Sequence, residues 1–120
     1  MCFLVYIKTM DPLQFYKCLA DDTRLHILLL LTQVEEACVC DFISALELDQ
    51  PKISRHLASL RKCGLLRDER RGKWVYYQIH NELPNWAKQV LTLTAANNKP
   101  YFKNTLTRLK SAQTDAKTCK

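Results

Sequence analysis

Glycine and proline are scarce in this chain of 120 residues, with 2 Gly and 4 Pro, which excludes collagen-like and low-complexity architectures. Long apolar runs are missing as well. The stretches Cys2–Ile7 and Ile27–Leu31 fall far short of the roughly 20 residues that cross a bilayer, so no membrane span is expected. The segment Met1–Lys8 has neither a basic leader nor a small-residue cleavage site, so the expected location is the cytoplasm. Acidic residues are few in the second part of the chain. Residues 52–120 carry 15 basic and 4 acidic side chains, a balance of +11, against 3 basic and 8 acidic in residues 1–51, a balance of −5. The basic part is suited to a polyanionic partner.

The remaining composition is that of a single globular domain, with 48% hydrophobic and 25% charged residues over a length that supports one core. Six cysteines are present. In a reducing compartment thiols stay unpaired, and a core of this size needs no covalent staple, so metal binding or redox chemistry is the better use for them.

Helical signals dominate. Asp11-Pro12 opens a first helix through Leu13, Tyr16 and Leu19, with proline at a tolerated first-turn position. Asp21 or Asp22 caps a second helix over Thr23–Leu31, too apolar for a surface. After the acidic link Thr32–Glu36, a short helix begins near Val39–Asp41 and ends before Asp49. The next helix runs from Gln50-Pro51 to Cys63, where Gly64 supplies a left-handed stop. Ile53, Leu57 and Leu60 form its inner face, opposite Lys52, Ser54, Arg55 and Ser59. A short helix, a tight connection and a helix with a basic polar outer face predict a helix-turn-helix.

Leu65–Arg70 and Lys73–Ile79 read as two strands joined by Arg71-Gly72, with Val75, Tyr77 and Ile79 alternating against Trp74, Tyr76 and Gln78. The hairpin tip carries Arg70, Arg71 and Lys73 and forms a wing placed to meet phosphates or the minor groove. A last helix starts at Pro84, with Trp86, Val90 and Leu93 on one face that either packs internally or, with the first helix, forms a dimer surface. The expected fold is mainly α with a β-hairpin wing, a winged helix-turn-helix acting as a homodimer on the inverted repeat of a double-stranded operator. The expected division is a leader over 1–10, a DNA-binding and dimerisation domain over 11–96, and a polar basic tail over 97–120, partly mobile and without apolar periodicity.

Leu19-Ala20-Asp21-Asp22-Thr23-Arg24-Leu25, Cys38-Val39-Cys40-Asp41, Gln50-Pro51-Lys52-Ile53-Ser54-Arg55-His56-Leu57 and Gly72-Lys73-Trp74-Val75-Tyr76-Tyr77, in that order, resemble the ArsR/SmtB family of metal-responsive repressors. The resemblance spans roughly residues 10–95 and is strongest to the arsenic-responsive members. It implies a repressor, not an enzyme, that binds operator DNA without a cofactor and releases it when As(III) or Sb(III) occupies Cys38 and Cys40. Cadmium, lead or zinc is the alternative inducer. DNA contacts are expected from Gln50, Lys52, Ser54, Arg55 and His56 in the recognition helix and from Arg70, Arg71 and Lys73 in the wing.

Soft thiolates select thiophilic ions, and a helix N-terminus favours the thiolate, which fits Cys38 and Cys40 to that role. Residues two apart in a helix point about 200° apart, so chelation by both requires the first turn to distort. The arsenic-responsive pattern commonly adds a third cysteine one turn on, where this chain has Ile43. The third position then falls to Cys2, in either subunit, to a small-molecule thiol or to solvent. Cys119 is either a loose ligand or without a role, and Cys18 and Cys63 read as core or surface residues. Cys18 and Arg24 also form a Cys-x5-Arg spacing like that of an arsenate-reductase loop, but Asp21 and Asp22 in that loop would repel an oxyanion.

Overall fold

A computed structural model describes residues 10–114 of the chain. Its elements are α1 (Pro12–Leu19), α2 (Asp22–Gln33), β1 (Ala37–Cys38), α3 (Val39–Leu46), α4 (Gln50–Lys62), β2 (Leu66–Arg71), β3 (Trp74–Ile79), α5 (Asn85–Asn97) and α6 (Lys99–Thr114). The leader and its Cys2, together with Cys119, lie outside the described residues.

Helices α1, α2 and α4 start where an aspartate can take an orphan amide. Asp11 accepts from Leu13 N at 3.2 Å, Asp21 from Arg24 N at 3.1 Å, and Asp49 from Lys52 N at 2.9 Å. In α2 the consecutive residues Ile27–Leu31 are all buried, so this helix is enclosed on every side and forms the centre of the core. Around it lie Phe15 of α1, Phe42 of α3, Ile53, Leu57 and Leu60 of α4, and Leu91 and Ala95 of α5. No described helix is long and apolar enough to cross a membrane.

The helix-turn-helix is formed by α3 and α4. Glu47 closes α3 in the left-handed region, at φ 57° and ψ 41°, and sends the chain through Leu48 to the Asp49 cap of α4. Gly64 follows the C-cap of α4 at φ 84°, the conformation expected of the stop. The hairpin pairs Leu66 with Ile79 and Arg71 with Trp74, so its tip is Gly72-Lys73, one residue later than Arg71-Gly72. Its two faces differ less than strict alternation implies. All of β3 is half-buried, Tyr77 and Ile79 against the core and the opposite face under polar partners described below.

Three features depart from the sequence reading or complete it. First, β1 adds a third strand, in the order β1-β3-β2, with Ala37 opposite Tyr77 and Cys38 opposite Tyr76. Second, of the two packings the sequence leaves open for α5, the helix turns Ala87, Leu91 and Ala95 inward with Val90 at the edge of the core, and leaves Trp86 and Leu93 exposed. Leu93 is 61% and Leu13 of α1 62% exposed, and Trp86 meets Phe15 edge-on with ring centroids 4.9 Å apart. Third, much of the segment expected as a polar mobile tail is the helix α6, whose Phe102, Leu109 and Ala112 are buried. It packs along α3, and Arg108 Nε donates to the Ala45 carbonyl at 2.8 Å, satisfying a terminal acceptor of that helix.

Leu109→Ala is expected to cost about 2–5 kcal/mol by removing a fully buried side chain, whereas Lys110→Ala on the exposed side changes stability by less than about 0.5 kcal/mol. Urea unfolding of the two variants measures the contrast. Equal midpoints would mean that α6 is not part of the cooperative core.

Candidate thiol site and nucleic-acid interface

Cys38 belongs to two elements at once. It ends β1, opposite Tyr76 of the wing, and its extended backbone, at φ −96° and ψ 172°, makes it the N-cap of α3. Its sulfur accepts from the backbone of Asp41, and the Asp41 carboxylate accepts from Cys38 N at 3.1 Å, a capping box with sulfur in place of the usual hydroxyl. Because Cys38 lies outside the helix as its N-cap, the roughly 200° divergence of residues two apart within a helical turn does not apply to it and Cys40.

Cys38 is buried and Cys40, in the first turn of α3, is half-buried; both carry thiols. The positive end of the α3 dipole lies beside them, an environment suited to anionic sulfur. Ile43 packs against the core one turn on, and among the described residues no group of three His, Cys, Asp or Glu side chains is arranged to hold a metal. The described chain therefore offers two sulfurs. Asp41 is buried and keeps its carboxylate partnered by Cys38 N and, at 3.4 Å, by Gln113 Nε2 of α6. Gln113 also donates to the Glu36 carbonyl at 2.7 Å, which pins the approach to β1.

On α4, Gln50, Lys52 and Arg55 are exposed and Ser54 is half-buried. His56 turns aside from this face. Its Nδ1 lies 3.5 Å from Arg24 Nη1 and 3.8 Å from Asp21 Oδ2, so it joins the recognition helix to the start of α2. In the wing, Arg70 donates to the Gly72 carbonyl at 3.2 Å, and Lys73 Nζ lies 5.7 Å from the centroid of the Trp74 ring. Arg71 is held more firmly. Its guanidinium makes paired bonds to Glu36 at 2.6 and 2.7 Å, a third to Glu69 at 3.0 Å, and sits over the Tyr76 ring at 4.6 Å. Gln78 adds a donor to Glu36 at 3.0 Å.

This network, absent from the sequence reading, ties the wing tip to a residue two positions before Cys38. Hydrogen bonds from Arg71 hold the Glu36 carboxyl below its ordinary value of 4.5, and the two carboxylates push the Arg71 guanidinium further up. Its partners are 35 positions apart, so no local pattern announces it.

Cys18 and Cys63 overturn the expectation that the thiols remain unpaired. A disulfide joins the last turn of α1 to the C-cap of α4, over a sequence separation of 45 residues. Arg24, the other half of the Cys-x5-Arg spacing, donates through Nε to the Cys18 carbonyl at 2.8 Å and serves as a joint between helices.

Residues 21–68 match the family described as bacterial regulatory protein, arsR family. The arsenic resistance transcriptional regulator ArsR1 of Pseudomonas putida is 47% identical over 102 residues, covering 85% of this chain and 80% of that protein. This chain belongs to the ArsR family of bacterial transcriptional regulators. The arsenical resistance operon repressor of Escherichia coli is 54% identical over 80 residues, covering 67% of this chain and 68% of that protein. A homologue of the cadmium resistance regulatory protein CadC from Staphylococcus aureus is 37% identical over 73 residues, 61% of this chain and 60% of that protein. Among solved structures, HlyU from Vibrio cholerae superposes with a TM-score of 0.65 at 30% identity, over 72% of this chain and 89% of that one. The AntR antimony-specific transcriptional repressor gives 0.58 at 29%, over 68% of this chain and 71% of that one. Family membership makes the chain a DNA-binding winged-helix repressor and sets aside the reductase reading.

The Glu36 carboxyl ionises more readily in the folded than in the unfolded chain, so its stabilising contribution is complete above about pH 4.5 and is lost as pH falls through the lower folded value. Glu36→Gln is expected to remove this part of the acid loss, by at most about 1 kcal/mol for a partly exposed pair. Thermal unfolding of both proteins from pH 6 down to about pH 3 tests it. Parallel curves would show that the pair carries no net stability.

Proposed function

We propose that the chain is a homodimeric cytoplasmic repressor that holds operator DNA until arsenite or antimonite binds Cys38 and Cys40. The observation that carries this reading is the double membership of Cys38. A ligand that draws its sulfur toward Cys40 takes it from the Asp41 amide, and the same residue is paired to wing strand β3. Trivalent arsenic exchanges two hydroxyl groups for the two thiols, releasing two waters, with no change of oxidation state. A two-sulfur site leaves the third position to Cys2, a small-molecule thiol or a retained hydroxide. A cadmium, lead or zinc sensor is the second reading, favoured by the softness of the same pair and by the likeness to a CadC homologue.

Movement at Cys38 reaches DNA by two routes. One runs through α3 into the Glu47 turn and the cap of α4. The other runs through β1 into β3 and, from Glu36, to Arg71 at the wing tip. The energy required is modest, since about 2.7 kcal/mol of preference for the released form weakens operator binding roughly 100-fold. Gln50, Lys52, Ser54 and Arg55 face the bases, with His56 at the margin, and Arg70, Arg71 and Lys73 meet the phosphate backbone. The outward apolar face of Leu13, Tyr16, Trp86 and Leu93 brings two copies together about a two-fold axis that matches an inverted repeat.

Cys38→Ser combined with Cys40→Ser is expected to bind labelled operator about as tightly as the unaltered chain and to stay bound when arsenite is added. Fluorescence anisotropy gives both numbers in one titration. Release of the double variant by arsenite would place the inducer site elsewhere, and the same titration with cadmium, lead and zinc decides between the inducers.

Arg55→Ala should relax base preference by about 1–3 kcal/mol at one operator position, while Arg71→Ala lowers the salt dependence of binding by about one charge on every sequence. Affinities on operator and random DNA over a salt series separate the two roles. Identical losses on both DNAs for both variants would refute the division into base-reading helix and phosphate-holding wing.

A further inference from the structure

The disulfide between Cys18 and Cys63 encloses the functional part of the chain: α2, β1, α3 and α4, and with them Cys38 and Cys40, all lie inside the loop it closes. The two sulfurs differ in access, Cys18 being buried and Cys63 half-buried. A cleft of about 220 Å³ opens onto the pair, lined by Gln14, Lys17, Cys18, Arg24, Ser59 and Cys63. Its polar lining is cationic and hydrogen-bonding, and the two carboxylates of the Cys18–Arg24 loop are engaged elsewhere, Asp21 by the Arg24 amide and His56, Asp22 by His26 and Tyr101. Gln14 Nε2 lies 3.2 Å from Cys63 Sγ and 3.8 Å from Cys18 Sγ, and Arg24 is fixed by its bonds to the Cys18 and Lys17 carbonyls.

We propose that Cys18 and Cys63 are a thiol–disulfide exchange site for an anionic low-molecular-weight disulfide of the glutathione type, and that the closed bond makes the regulator harder to induce. Lys17 and Arg24 receive the carboxylates of such a molecule, and the amide of Gln14 supports negative charge on Cys63 sulfur. The Cys63 thiolate attacks one sulfur of the small disulfide; a bond forms between them, and the first small thiolate leaves with the electron pair. Cys18 thiolate then attacks Cys63 sulfur and expels the second. The protein gives up two electrons and two protons, and the small disulfide takes them up as two thiols.

The regulatory consequence rests on the reading of Cys38 and Cys40 given above. The bond is made in the arrangement in which Cys38 caps α3 and β1 pairs with β3. A crosslink shifts the population toward the arrangements that bring its two ends together, here those in which the end of the recognition helix lies against α1. Inducer binding must then displace elements that are tethered at both ends. Linkage is reciprocal, so inducer should favour the reduced pair.

The full chain is treated with glutathione disulfide, or reduced with a phosphine, and followed by intact mass and peptide mapping. The expected course is a transient glutathione adduct on Cys63 that resolves to the Cys18–Cys63 bond, with Cys18→Ser trapping the adduct. The arsenite concentration that half-releases operator is expected to rise about tenfold on oxidation and not to move in Cys63→Ser. A persistent adduct in the unaltered chain, or no reaction at either residue, overturns the exchange site. A bond that forms without changing half-release overturns its control of induction. Oxidation of the Cys38→Ser, Cys40→Ser chain should still raise its Tm by on the order of 10 °C, an arm that decides the exchange site even if that chain proves inducible and the thiol-site assignment fails.

Discussion

The structure depends on one residue being shared between a strand and a helix cap. Cys38 cannot shift by much without either parting β1 from β3 or exposing an amide at the start of α3. Both costs are local and small, of the order of a hydrogen bond each, yet they fall on the two elements proposed to face DNA. A sensor built this way needs no long pathway. The sulfurs proposed as ligands lie where the wing and the helix-turn-helix are joined.

Other contacts reinforce this junction from outside the helix-turn-helix. Gln113 of α6 binds the Glu36 carbonyl and approaches Asp41, Arg108 closes the end of α3, and Arg71 grips the Glu36 side chain from the wing. These bonds flank the thiol pair on both sides, at Glu36 before β1 and at Asp41 and Ala45 after Cys40. The placement of α6 therefore braces the approach to the thiol pair as well as closing the core.

Much of the fold was legible because the local signals agree. Asp11, Asp21 and Asp49 take the cap positions, Ile53, Leu57 and Leu60 share the inner face of α4, and Gly64 adopts the left-handed stop. The adjacent thiols of Cys38 and Cys40 were legible for the same reason. Features that depend on distant segments were not. A strand of two residues has no period to detect, and Glu36 meets Arg71 only because the wing folds back over it. His56 lies next to the basic face of α4 in sequence but is captured by Asp21 and Arg24. In α6 a pattern did exist, with Phe102, Leu106 and Leu109 at helical spacing, hidden among lysines and other polar residues. The six cysteines gave no local clue that Cys18 and Cys63 approach each other, since that proximity arises only when α1 crosses the end of α4.

The pairing of Ala37 with Tyr77 and Cys38 with Tyr76 also sets an order of assembly. Cys40 acquires its place with α3, a local event on the sub-microsecond to microsecond scale of helix formation. Cys38 acquires its own only after the chain has continued through the recognition helix and both wing strands and returned, closing a loop whose entropy must be met first. A chain emerging from the ribosome therefore sets Cys38 opposite Tyr76 only once its wing exists, so the proposed thiol site and the wing are completed in the same late step.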